Sequence, residues 1–329
     1  MYQTVLAFAF WVLVISFAIT YFIFPGVIAN FKRAKIVKKD MHKPGQPEVA
    51  DMGGLIIVAG FTSGIITIGA LETFFPGMLS IELVRLFAAL SVVLIMTLVG
   101  TIDDLIGVPK VPKAIIPLLG SLPLVAIKAG HSLMHIPIIG QVDFGIFYPL
   151  VLVPIGITGA ANAFNMLSGF NGLEIGMGII AAGSLAVVAY STGATTSFFL
   201  LVATVGALIA TLRYNWYPAK VFIGDTGTFS LGAIIASAVI LGNFETAGII
   251  IIIPYALDFI LKAINRFPSK GWWGVYKNGK LYCPGSRPTG LAQLVMKLCS
   301  GITERKLVLT LIGIEAVCAT IAILLYARF

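Results

Sequence analysis

Residues 249–253 read Ile249-Ile250-Ile251-Ile252-Ile253. Five consecutive isoleucines put apolar side chains on every face of whatever element they form. Strands of a membrane barrel alternate lipid-facing apolar residues with polar ones, so this run speaks against a barrel and for helices in an apolar surrounding. The character extends outward. Of 329 residues, 58% are hydrophobic and 11% charged, where soluble domains carry roughly 25% charged residues. Mean hydropathy is +1.00. A soluble enzyme, a disordered chain and a collagen-like fibre are thereby excluded. A helical span needs roughly 20 apolar residues, and hydropathy predicts ten, at about 3–29, 52–71, 82–101, 113–129, 145–160, 172–191, 197–212, 227–243, 246–264 and 306–327. The expected fold is thus an all-α, polytopic membrane protein, with 1–329 as one membrane domain. The first span is not read as a cleavable signal, because no Lys or Arg precedes it and Lys32, Arg33 and Lys35 follow it. Cys283, Cys299 and Cys318 make neither a metal-ligand nor a disulfide pattern.

Lysine and arginine placement orients such a bundle. Loops 30–51, 101–113, 213–226 and 265–305 carry 17 of the 22 cationic residues, and the connections 72–81, 130–144, 192–196 and 244–245 carry none. The first set is expected in the cytoplasm, with both termini outside. Net charge +8 then has two readings. One is this topological bias; the other is a surface for anionic headgroups or phosphates.

Polar residues near a membrane need a reason, and here they gather on the predicted cytoplasmic side. Asp103-Asp104 end the third span. Adjacent carboxylates at a helix C-terminus resist ionisation unless a cation is near, and Lys110, Lys113 or a divalent metal could supply it; the bland reading is a solvated pair. Asn162 and Asn165 share a helix face. They suit cation ligation or phosphate binding, or simple interhelical bonding. Gly224-Asp225-Thr226-Gly227 opens the eighth span, where helix N–H groups favour an anion. Asp225 reads as a Mg2+ ligand or as an N-cap. Loop 265–305, with Trp272, Trp273, Tyr276 and Tyr282, reads as an interfacial aromatic belt or as a cytoplasmic cap over a headgroup site. His131 and His135 fall on the outer side and are read as bland. Asp258 sits inside the ninth span, bonded either to a neighbouring helix or to the site.

These motifs, in this order, resemble the polyprenyl-phosphate N-acetylhexosamine-1-phosphate transferases, closest to the branch of the eukaryotic and archaeal dolichyl-phosphate GlcNAc-1-phosphotransferases. The matching segments are Pro47-Glu48 before Gly53-Gly54, Asp103-Asp104, Asn162-Ala163-Phe164-Asn165, Asn171-Gly172-Leu173-Glu174, Asn215-Trp216-Tyr217-Pro218, Val221-Phe222-Ile223-Gly224-Asp225-Thr226 and Ile302-Thr303-Glu304-Arg305. The resemblance implies ten helices and a cytoplasmic active site. It implies attack of a polyprenyl phosphate on the β-phosphorus of a UDP-N-acetylhexosamine, releasing UMP, with Mg2+ required and Mn2+ an alternative. By the same resemblance Asn165 and Asp225 hold the metal. Lys113 binds the lipid phosphate with Asn162 and Asn165. Asp40, Met41 and Asn171 contact uridine, and Glu48 lies in the UDP-sugar site. Asp103, Asp104, Lys113 and Asp225 form the catalytic set, with the roles of the two adjacent acids left open.

Two departures are visible. The muramoyl-pentapeptide branch has a histidine cluster in its last cytoplasmic loop, absent here. The eukaryotic branch has an Arg-His-Arg segment where this chain has Phe267-Pro268-Ser269-Lys270-Gly271-Trp272. Lys270 and Arg287, with Arg266, are the cations left for the sugar and β-phosphate. The expected function is transfer of GlcNAc 1-phosphate from UDP-GlcNAc to dolichyl phosphate, opening a lipid-linked oligosaccharide pathway for protein N-glycosylation. The alternatives are another UDP-N-acetylhexosamine for envelope glycans, a secondary transporter of an anionic solute, and a non-catalytic lipid-phosphate binder. No nucleic-acid partner is expected, and a homodimer is compatible with the sequence. The membrane would be the cell membrane in a prokaryote or the endoplasmic reticulum in a eukaryote.

Overall fold

Backbone polar groups in an apolar surrounding are satisfied within their own helix, and the long apolar runs fold accordingly. The computed structural model describes residues 2–136, 140–268, 271 and 273–326. Lys270, one of the expected sugar contacts, lies outside the described residues, as does Trp272. In chain order the elements are α1 (Tyr2–Arg33), β1 (Val37–Lys39), β2 (Glu48–Ala50), α2 (Gly54–Phe74) and α3 (Leu83–Ile106). There follow α4 (Lys110–Ile115), α5 (Pro117–Gly120), α6 (Leu122–Ala126), β3 (Leu133–Ile136) and β4 (Gly140–Asp143). A π-turn at Tyr148–Leu152 leads into α7 (Val153–Met166), then α8 (Leu173–Ser191), α9 (Thr195–Asn215), α10 (Gly224–Gly242), α11 (Glu245–Ile251) and α12 (Ile253–Ile264). The chain ends with β5 (Val275–Lys277), β6 (Lys280–Tyr282), α13 (Leu291–Leu298) and α14 (Glu304–Tyr326).

Among the described residues, eight helices are long and apolar enough to cross a membrane, and the pair α11–α12, bent by 57°, makes a ninth. The isoleucine run lies across that bend, and Pro254 in the first turn of α12 has no N–H to continue the ladder. The expected span 113–129 is corrected in form. It is three short helices, interrupted at Ile116 and Ser121. Pro112, Pro117 and Pro123 each remove a donor. This broken segment still carries the chain from Lys113 at one end of the bundle to His131 at the other, where the His131 N–H donates to Asn243 Oδ1 at 2.6 Å.

α10 is the central helix: every residue from Thr226 to Leu241 is buried. It packs on α2, α3, α7 and α9. Small residues let backbones approach where lipid supplies no driving force. A Cβ on Gly100 of α3 would sit 2.5 Å from the Asp225 carbonyl oxygen, so the C-terminal end of α3 lies directly against the start of α10. α1 is at the periphery, with Phe10, Trp11 and Phe22 exposed. The C-terminal end of α1 and the N-terminal end of α14 both reach the polar cluster described below, so Tyr2 and Tyr326 lie toward the opposite end of the bundle.

β1 and β2 pair antiparallel, with Val37 opposite Ala50 and Lys39 opposite Glu48. This hairpin is stitched to the approach of α10: Phe222 N–H donates to Ala50 O, and Gly53 N–H to Phe222 O, each at 2.8 Å. Segment 265–305 is structured as the β5–β6 hairpin and α13. It is pinned by Asp258, whose Oδ1 accepts the Leu291 N–H at 2.8 Å while Oδ2 pairs with Lys262 at 2.7 Å. Asp258 therefore serves a neighbouring element.

Candidate active site

Asp103 and Asp104 are adjacent in sequence, and the helix separates them by about 100°. The structure gives them different partners. Asp103 accepts the Val108 N–H at 2.7 Å and pairs with Lys113 Nζ at 2.5 Å. Lys113 also reaches Asp225 Oδ2 at 2.6 Å. Asn165 donates its amide to Asp225 Oδ1 and, at 2.9 Å, to Thr228 Oγ1. Asp103, Lys113, Asp225 and Asn165 thus form one cluster drawn from α3, α4, α10 and α7.

Asp104 does something else. Ile223 precedes α10 and offers no side-chain cap. Asp104 supplies it from α3: Oδ1 accepts the Asp225 N–H at 3.0 Å, and Oδ2 accepts the Thr226 N–H at 2.9 Å and the Thr226 hydroxyl at 2.8 Å. These are the donors that an N-cap residue would satisfy. Lys38 Nζ completes the shell at 2.8 Å from Oδ1, and the Asp104 side chain is wholly buried. Four donors thus meet the two Asp104 oxygens, and in this structure Asp104 caps α10 beside the cluster that holds Asp103. Asp225, the other candidate cap, is instead capped. Gly224 permits this: its φ is +67°, and a Cβ there would lie 2.3 Å from Asp104 Oδ2.

Asp225 also lines a cavity of about 210 Å3 shared with Lys38, Asp40, Met41, His42, Phe170, Phe222 and Trp273. Asp40 and Met41 therefore share one cavity with Asp225. Asn171 stands behind them, fully engaged: its amide donates to Asp40 Oδ2 at 3.1 Å and accepts the Ala219 N–H at 2.7 Å, and its own N–H bonds Glu304 at 2.8 Å. It braces the loop that carries Asp40 and Met41 and is not among the residues lining the cavity. Asn162 likewise holds backbone, donating to Thr158 O at 2.9 Å and Ala114 O at 3.2 Å, which fixes α4 beside Lys113. Glu48 and Arg287 are exposed and outside the cavity lining. Glu48 is the exposed first residue of β2, ahead of the buried Val49 and Ala50, and Arg287 sits in a polar turn before α13.

Residues unremarked in the sequence complete the site. Lys43 bridges Asp40 at 2.9 Å and Glu304 at 2.6 Å, above the Tyr217 ring. Asp40, His42 and Glu304 have the reach to share an ion, but that ammonium already serves two of the three. His42 stacks on Phe170, and burial depresses its imidazole to about 4, against a smaller upward pull from Asp40. Lys38 pairs with Asp51 at 2.6 Å as well as with Asp104. Desolvation works against its charge, but those two carboxylates hold its ammonium above the ordinary lysine range.

The donor set suits a hard divalent cation. Among the described residues, Asp51, Asp103, Asp104 and Asp225 are four carboxylates paired with two ammonium groups, Lys38 and Lys113. Carboxylates thus outnumber ammonium groups beside a cavity reached by Asp225, whose side chain is 27% exposed. Mg2+ favours one or two carboxylates, leaving its other positions for phosphate oxygens and water. The Asn165 nitrogen, as oriented, faces Asp225; ligation by its oxygen needs the amide turned over.

Residues 86–243 match the family model for glycosyl transferase family 4, a stretch that contains Asp103, Asp104, Lys113, Asn165 and Asp225. A Saccharolobus solfataricus protein provisionally named UDP-N-acetylglucosamine–dolichyl-phosphate N-acetylglucosaminephosphotransferase is 37% identical over 95% of both chains. The Dictyostelium discoideum protein bearing that name is 27% identical over 92% of this chain and 84% of its own. A phospho-N-acetylmuramoyl-pentapeptide-transferase of Halalkalibacterium halodurans is 32% identical over 79% of this chain and 83% of its own. With an acidic cluster at the bundle end and relatives aligned along nearly its whole length, this chain belongs to the polyprenyl-phosphate N-acetylhexosamine-1-phosphate transferases of glycosyl transferase family 4.

Proposed function

We propose that this membrane protein transfers GlcNAc 1-phosphate from UDP-GlcNAc to a polyprenyl phosphate of the dolichyl type, at the cytoplasmic face, with Mg2+ as cofactor. The observation that carries this reading is the position of Asp225. It lines the cavity on one side and pairs on the other with Lys113, which does not line it. Around Lys113 the surface is apolar: Leu105, Ile106, Val111 and Ile115 are exposed. One approach thus suits a nucleotide, the other a phosphate carried on a hydrocarbon chain.

An oxygen of the lipid phosphate attacks the β-phosphorus of the donor. The bond from that phosphorus to the bridging oxygen breaks, and UMP leaves with the oxygen. A phosphomonoester with a second pKa of about 6 is largely dianionic at neutral pH, so no protein base has to remove its proton. The difficulty is repulsion between anions, which grows where water is excluded. Lys113 offers its ammonium to the incoming phosphate, and Asp103 holds that ammonium in place. Asp40, Met41 and the aromatic faces of Phe222 and Trp273 orient the nucleotide. Asp225, with Asn165 beside it, would hold Mg2+, which would supply positive charge to the diphosphate. Positioning and charge neutralisation are most of what phosphoryl transfer asks of a protein.

The test is UMP release by the purified protein given UDP-GlcNAc, polyprenyl phosphate and Mg2+, with UDP-GalNAc as competitor. Release that needs the lipid and favours the GlcNAc donor supports the reading. No release, or release without lipid, ends it.

A further inference from the structure

Lys38 and Asp51 line the cavity but are not among the residues expected to contact the substrates, and their geometry ties them to Asp225. Asp104 grips the backbone of residues 225 and 226, while its neighbour Asp103 faces the side chain of Asp225 through Lys113. The adjacent acids hold one residue from two sides. That grip is only as firm as Asp104 is fixed, and it is fixed by Lys38 at 2.8 Å, itself held by Asp51 at 2.6 Å. Lys38 is on β1, Asp51 directly follows β2, and Ala50 bridges to Val221 just ahead of α10. The same hairpin carries Asp40, Met41 and His42 into the cavity.

We propose that Lys38 and Asp51 are positioning residues: with Asp104 they form a lock that joins the nucleotide-binding hairpin to the N-terminus of α10 and so sets the place of the Asp225 carboxylate. Removing the ammonium leaves Asp104 and Asp51 as like charges without their shared partner. The repulsion is relieved by moving Asp104, and the 225 and 226 amides lose their acceptor. A supporting shell of this kind typically changes activity or metal affinity by about 10- to 100-fold. A guanidinium presents several donors in a plane and can serve two carboxylates together, so arginine should substitute where methionine cannot. The effect on turnover rests on the transfer reaction proposed above; the effect on α10 does not.

The full chain in lipid nanodiscs tests this with Lys38→Met, Lys38→Arg and Asp51→Asn. Two readouts are needed: hydrogen–deuterium exchange of a peptide covering 223–228, and UMP-release kinetics for each substrate. Lys38→Met should speed exchange in that peptide by about tenfold or more and lower kcat by about 10- to 100-fold, with both KM values within about twofold. Lys38→Arg should recover most of both, and Asp51→Asn should fall between. Unchanged exchange with a raised KM for UDP-GlcNAc would make Lys38 a direct donor ligand and overturn the proposal. Unchanged exchange and kcat would also overturn it. If the unmodified protein releases no UMP, the reaction assignment fails while the exchange comparison still decides the lock.

Discussion

Replacing Lys113 by alanine removes the one ammonium shared by Asp103 and Asp225. Its contacts are 2.5 and 2.6 Å long and its side chain is 23% exposed. Removing one preorganised charge aimed at the reacting phosphate typically costs about 2.7–4 kcal/mol of transition-state stabilisation, and partial exposure here puts the expected loss near the lower end. About 2.7 kcal/mol corresponds to roughly a hundredfold. Because Lys113 does not line the nucleotide cavity, the loss should fall on kcat/KM for the lipid phosphate. KM for UDP-GlcNAc should stay within about threefold, and an ammonium-bearing side chain should be required for rescue. The assay is initial-rate UMP release, with lipid and donor varied in turn. A variant that loses only donor affinity would show that Lys113 faces the nucleotide and that the two-sided arrangement is wrong.

Asp225→Asn should lower turnover by about a hundredfold to a thousandfold, since a catalytic charge site typically contributes about 2.7–4 kcal/mol; full activity at ordinary Mg2+ would remove Asp225 from the reaction. Chelation should abolish UMP release, and Mg2+ or Mn2+ should restore it; activity that persists in chelator would exclude the divalent ion. Gly224→Ala should destabilise the protein by about 1–2 kcal/mol from its left-handed φ alone, with an added clash against Asp104, and thermal melts measure it. His42 is neutral when folded, with its proton affinity depressed to about 4, below an ordinary value of about 6.5. Its contribution to stability is complete above pH 6.5 and is lost as pH falls toward 4, at up to about 1.4 kcal/mol per unit. Melting at pH 4.5 and 7 should therefore differ more in the native protein than in His42→Asn.

The helices were legible because bilayer chemistry leaves few options: where the chain is apolar for twenty residues, it must close its own hydrogen bonds. Proline chemistry explains the departures at 113–129 and 246–264, where hydropathy is blind to missing donors. Asp103, Lys113, Asn165 and Asp225 could be singled out in the sequence because each is a polar residue at the end of an apolar run. Their meeting in one cluster is a tertiary fact. The same limit hid the division of labour between Asp103 and Asp104, which depends on which helix end lies opposite each. Lys38 read as one cation among six in loop 30–51, and nothing local to it points to Asp104, 66 residues on. Glu304 and Asn171 are partners across 133 residues, beyond any spacing rule. Glu48 shows the converse: a motif brings a residue close to a site, while its place at the exposed start of β2 leaves its side chain outside the cavity lining.

The central claim is that the phosphorus attacked belongs to the sugar-linked phosphate of the donor. UDP-GlcNAc carrying radiophosphorus in its β-phosphate, incubated with the protein and polyprenyl phosphate, distinguishes this directly. The account predicts that the label moves with the sugar into the lipid fraction and leaves unlabelled UMP in water. Label retained in water-soluble UDP while the sugar reaches the lipid would contradict it.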